Sequence, residues 1–149
     1  MSTESDLLYG AMQTMRTRYV YFLLAIAAAS IAFAITQTDD LALSYSQAPL
    51  AVATLFWALS FFSGCRQQIF YGSILYTNFE RLRVQSGNYE LAGRHPEKIK
   101  IGEDFLLDKI KGSEKSLLYY SKWQFWFYII GAVFFIGWHI LEMYFRSRI

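Results

Sequence analysis

Charge, histidine and cysteine are all scarce in this chain. Charged residues make up 17% of its 149 residues, against roughly 25% in a soluble domain. A single cysteine, Cys65, excludes an internal disulfide and any Cys-x-x-Cys redox or zinc pair. Two histidines, His95 and His139, with no His-Glu-x-x-His spacing, exclude the common zinc hydrolase motif. The glycines form neither a Walker loop nor a dinucleotide fingerprint. There is no Asn-x-Ser/Thr sequon, and serine follows Met1, which excludes N-myristoylation. A net charge of +2 is too small to recommend nucleic acid as a partner. No nucleophile is flanked by a base and an orienting group, so no catalytic residue and no cofactor is assigned.

Apolar residues, by contrast, are abundant at 54%, with aromatics at 19%. They gather in three blocks. Between Val20 and Ile35 only Tyr21 and Ser30 interrupt the first block, which runs over residues 19–37 and ends at Asp39 and Asp40. The second, residues 48–65, begins beside Pro49 and stays uncharged until Arg66; proline suits the first turn of a helix. The third, residues 123–145, carries no charge before Glu142. A helix needs about 20 apolar residues to cross about 30 Å of hydrocarbon, and each block approaches that length. The expected fold is therefore all-α: an integral membrane protein with three transmembrane helices.

Lysine and arginine set the orientation. Arg16 and Arg18 precede the first block, residues 38–47 contain no basic side chain, and residues 66–122 contain ten. This predicts a cytoplasmic N-terminal segment (1–18), a short external loop (38–47), a cytoplasmic lobe (66–122) and a short external tail (146–149). Arg146 and Arg148 sit on the wrong side but are outvoted. In a bacterium the address would be the cell inner membrane. Ala32-Phe33-Ala34 has the form of a signal-peptidase site, yet Glu4 and Asp6 do not belong in an n-region. Tyr19, Tyr21, Trp123, Trp126, Tyr128, Trp138 and Tyr144 fall at block ends, where headgroup-level aromatics belong. Trp57 falls mid-block and reads as a packing residue.

The second helix is expected to run on to Ser86. Its extension carries Tyr71, Leu75, Phe79 and Leu82 at i, i+4, i+8 and i+11, a single apolar stripe suited to a cytoplasmic protein partner. Gly87 and Asn88 read as a stop and residues 88–102 as a loop. A short amphipathic helix is expected over Glu103–Lys111, with Phe105, Leu106 and Ile110 on one side, broken by Gly112, and a last helix capped by Ser113 leads into the third span. The second and third helices together would form the small cytoplasmic lobe.

Three functional readings follow. In the first, the chain is a non-enzymatic, self-associating scaffold or adaptor. Ala25/Ala29 and Ala28/Ala32 are small-xxx-small pairs that allow close helix approach between copies. Packing within one chain explains them equally well. In the second, Thr54, Ser60 and Ser63 line a pore or channel, although such hydroxyls more often bond their own helix carbonyls. In the third, His139 and Glu142, one turn apart, form a metal or proton site with Asp39 and Asp40, as part of a membrane enzyme or otherwise. The plainer alternative places Glu142 at the interface, in reach of water. Cys65 at the inner boundary is a candidate for palmitoylation or a small buried residue. The partners predicted are the lipid bilayer, a second copy and a cytoplasmic protein.

Overall fold

A computed structural model describes residues 2–37, 45–86 and 96–147. Every regular element among them is helical. Helix α1 spans Ser2–Thr36, a single 3₁₀ turn covers Tyr45–Gln47, α2 spans Ala48–Gln85 and α3 spans Pro96–Arg146. All three α-helices are long and apolar enough to cross a membrane. Only 22%, 33% and 17% of their respective apolar windows are buried within the chain. Such sequences leave most of their apolar surface outside the fold, and lipid is the solvent that suits it.

Two boundaries differ from expectation. Helix α1 begins at Ser2, so residues 2–18 are helical and continuous with the first apolar block. Thr14 and Thr17 direct their hydroxyls back to the carbonyls of Gly10 and Gln13. The one glycine of this stretch, Gly10, costs only about 1 kcal/mol relative to alanine. The second difference is larger. The expected loop up to residue 102, the break at Gly112 and the separate cap at Ser113 are replaced by one 51-residue helix from Pro96; residues 87–95, with the expected stop at Gly87 and Asn88, lie outside the described residues. Pro96 opens that helix, where a missing N–H does no harm. Gly102 lies against Val84, whose Cγ1 would be 3.4 Å from an added Cβ, an ordinary contact that a small side chain could also make. Gly112 meets nothing, and one unstrained glycine does not outweigh the helix formers on either side. The predicted end of α2 near Ser86 agrees with its last helical residue, Gln85.

The chain divides into two compact units, Met1–Gly64 with Trp123–Ile149, and Cys65–Lys122. The division falls within α2 and within α3.

In the first unit buried residues recur at sevens. They are Val20, Ala27 and Ala34 on α1, Leu50, Trp57 and Gly64 with Ala53 and Ser60 on α2, and Gln124, Gly131 and Trp138 on α3. A seven-residue repeat keeps one seam of each helix turned toward its neighbours. The apolar centre is Ala34, Leu50, Trp57 and Trp138, with Ile31, Tyr128 and Phe135 packed on it. Trp57 is thus the packing residue its mid-block position predicted, with its ring centroid 5.6 Å from that of Phe135. Trp138 is also core, at 5% exposure, rather than the girdle residue expected from its place near a block end. Its position seven residues from Gly131 is what turns it inward. Tyr19, Tyr21, Trp123, Trp126 and Tyr144 are exposed, whereas Tyr128, expected among them, is half-buried against the apolar centre.

The second unit has a thinner interior: Gln67, Thr77, Val84 and Leu117 are its buried residues. Arg81 Nε lies 3.6 Å from Glu103 Oε1, and Gln85 donates a hydrogen bond to the same carboxylate.

Candidate functional site

The first unit is knit where large side chains meet glycines. A Cβ added at Gly131 would stand 2.7 Å from both Cδ1 and Nε1 of Trp57, and 3.0 Å from the Ala53 carbonyl oxygen. Glycine is required there because the indole occupies the space. Gly64 similarly takes the Gln124 carboxamide, and its absent Cβ would stand 2.8 Å from Leu24 Cδ2. At the same level Ser60, fully buried, donates to the Gln124 main-chain oxygen at 2.8 Å. Gln124 itself is 1% exposed and its side-chain nitrogen has no hydrogen-bond partner among the described residues. This layer went unread in the sequence. Its signal was available, since Gln124 is the only amide in the third apolar block and lies seven residues before Gly131.

A buried, unpaired amide costs about 1–3 kcal/mol. Gln124→Met keeps the length and removes that cost while leaving the Ser60 bond, which is made to main chain. It should raise the stability of the purified protein by about 1 kcal/mol in a denaturant titration in detergent micelles. A loss of stability instead would mean that the amide has a partner worth more than its burial costs.

The candidate pore-lining residues are committed to carbonyls. Thr54 donates to Leu50 O at 2.9 Å and Ser63 to Leu59 O at 2.8 Å, each within its own helix. Only Ser60 reaches across to another helix. The alanine stripe divides cleanly: Ala25, Ala28, Ala29 and Ala32 are exposed, whereas Ala27 and Ala34 supply the chain's own packing. His139 is exposed beside Trp138, with ring centroids 6.3 Å apart. Glu142 is half-buried and lines a recess of about 340 Å³ with Tyr45, Pro49, Leu141 and Phe145. Asp39 and Asp40 lie outside the described residues. Among the described residues no three metal-ligating side chains come together.

In the second unit a cavity of about 520 Å³ opens between α2 and α3. Tyr76, Thr77 and Glu80 line one wall, and Ile101, Phe105 and Leu106 the other, with Lys98 and Lys109 at its rim positions on α3. Of the predicted stripe, Leu75, Phe79 and Leu82 are exposed and Tyr71 is half-buried. Ile101 and Phe105 are each 70% exposed. This unit therefore shows an apolar surface from both helices, of which the sequence pattern identified the α2 part and Phe105 on α3 but not Ile101. Cys65 is half-buried with a free thiol; His95 lies outside the described residues.

Comparison with known families, characterised proteins and solved structures finds no match to this chain.

Proposed function

We propose that the chain is a multi-pass membrane scaffold that self-associates, with residues 66–122 forming a cytoplasmic lobe that docks a protein partner. The observation that carries this reading is the apolar surface of the second unit. Leu75, Phe79, Leu82, Ile101 and Phe105 are exposed on lengths of α2 and α3 that lie outside the apolar blocks. Lipid tails cannot cover residues beyond the hydrocarbon, and exposed apolar patches of this kind mark interaction sites. Ten basic side chains in the same stretch support its cytoplasmic placement. The alanine stripe on α1 supports association, because its four residues are left uncovered by the chain's own packing.

Chemical crosslinking in native membranes tests association directly. Dimers or larger species are expected from the parent chain, and Ala25→Leu with Ala29→Leu should reduce them several-fold, since the bulkier side chains block the close approach that small residues allow. A chain that is monomeric in both forms removes the self-association reading. Ion leakage from reconstituted liposomes separates a scaffold from a channel-like effector. Tight vesicles are expected; leakage rising steeply with protein density would favour a pore assembled from several copies.

A further inference from the structure

Arg66 is the first charge after the uncharged stretch 48–65 of α2. Its side chain is braced within the second unit. The guanidinium carbon lies 5.3 Å from the Phe70 ring centroid and 5.8 Å from that of Tyr120. Those two rings are themselves stacked, at 5.6 Å and 20°. The brace joins α2 to α3 and fixes a planar cation, which loses rotamer freedom before any ligand arrives.

What the brace leaves unused is the hydrogen-bonding edge of the guanidinium. Arg66 has no carboxylate or other hydrogen-bond acceptor among the described residues, although it is half-buried. A guanidinium carries five N–H donors, and a half-buried one without acceptors is a recognition group waiting for an anion. Tyr120 adds a phenolic hydroxyl that likewise bonds no described residue. The surroundings along the chain are more basic than acidic. The next acid on α2 is Glu80, 14 residues on, about 21 Å along a helix. On α3, Lys115 and Lys122 lie five residues before and two residues after Tyr120, with Glu114 beside Lys115.

We propose that Arg66 and Tyr120 form a binding site for the phosphodiester of a membrane phospholipid, with preference for an anionic headgroup. The assignment rests on the membrane reading, which places the end of the second apolar block at headgroup level. Phosphate is the anion found there, and arginine takes it through two parallel N–H bonds, which lysine cannot reproduce. Lys115 and Lys122 supply the added attraction for a net negative lipid.

Native mass spectrometry of the purified full chain in mild detergent, titrated with phosphatidylglycerol and with phosphatidylcholine, tests this. One phosphatidylglycerol per chain should be retained preferentially. Arg66→Lys should weaken that retention about tenfold, because charge is kept but the planar fork is lost. Tyr120→Phe should weaken it by a smaller factor and leave helicity unchanged, which keeps the test open if the Arg66 variant folds poorly. Equal retention by all three chains overturns the site. Displacement of the lipid by inorganic phosphate at equal concentration overturns the lipid source and reassigns the site to the free anion. Alkaline carbonate extraction separates the two readings: release of the parent chain from membranes removes the membrane assignment itself, whereas full retention with unchanged lipid binding removes only this site. Crosslinking of Arg66→Lys should match the parent, so its outcome is independent of self-association.

Discussion

Gly131→Leu should unfold the first unit, and Trp57→Ala in the same chain should restore much of what is lost. Even the first carbon of the new side chain would lie 2.7 Å from the Trp57 indole and 3.0 Å from the Ala53 carbonyl oxygen. The carbonyl is main chain on α2 and cannot yield without moving the helix. The indole is 4% exposed and held by Phe135, so it has no open space to turn into. Overpacking of a close-packed interior costs about 1–3 kcal/mol when neighbours can shift, and here one neighbour is backbone. A cost of about 3 kcal/mol or more is therefore expected. Trp57→Ala alone leaves a cavity and should cost about 3–5 kcal/mol. The double variant should cost less than the sum by at least about 1 kcal/mol, since contacting sites couple. Denaturant titrations of the four chains in one detergent give the coupling energy. Strict additivity would mean that Trp57 and Gly131 do not share this contact. Gly64→Ala offers a contrast. The atoms nearest its new Cβ belong to the Leu24 and Gln124 side chains and none is main chain, so it should cost less than Gly131→Ala, although the buried Gln124 must shift to admit it.

The three apolar blocks were legible because lipid demands long uninterrupted runs, and the run lengths are visible residue by residue. Trp57 was legible as a packing residue because a tryptophan mid-block has no headgroup to sit in. What escaped was everything set by pairing between helices. Gly102 and Gly112 read as breaks, since glycine is the strongest local stop signal after proline. Yet Gly102 stays within α3, in contact with Val84 of α2, a fact of tertiary packing. Gln124 escaped for the same reason. Its burial follows from a seven-residue register with Gly131 and Trp138 that has meaning only once a partner helix is facing it. Trp138 was misplaced as a girdle residue because its neighbours in sequence, not its register, were weighed. The α1 stripe at Ala25, Ala28, Ala29 and Ala32 was legible as small residues, but which alanines the chain would use for itself was not. Ala27 and Ala34 took that role, in register with Val20. The apolar surface of the second unit was largely legible: periodicity marked the exposed α2 stripe and put Phe105 on the apolar side of a short helix, while Ile101 fell in an expected loop.

Val84→Asp should open the second unit while the first stays folded. Val84 is 3% exposed and fills the place that Gly102 leaves on α3. Lys98 and Lys109 line the same cavity but are exposed, and a carboxylate held at the buried Val84 position without reaching them costs several kcal/mol. Little else resists that cost. The interior consists of Val84, Thr77, Leu117 and Gln67, and the Gln67 side-chain oxygen is itself without a hydrogen-bond partner among the described residues. The Arg81–Glu103 pair lies at 3.6 Å with both side chains near 30% exposure, and pairs of that kind are worth about 0–1 kcal/mol. The wall residues Ile101 and Phe105 are mostly exposed and contribute less burial than their size suggests. The unit should therefore sit near the low end of local stability, where one buried charge is decisive. Hydrogen exchange is the measurement. Amides over residues 76–85 and 98–110 should lose protection by about a hundredfold or more, a change of about 3 kcal/mol, while residues 124–140 keep theirs. Exchange that rises equally in both units would mean that they fold as one cooperative body. Unchanged exchange in the second unit would mean that Val84 is not the residue that closes it. A partner that binds the lobe surface should restore protection in the variant in proportion to its affinity for the folded form, because a ligand of the native state alone stabilises that state. Loss of protection confined to the lobe, recovered on partner binding, is the behaviour expected of an adaptor whose docking unit is kept marginal and completed by what it binds.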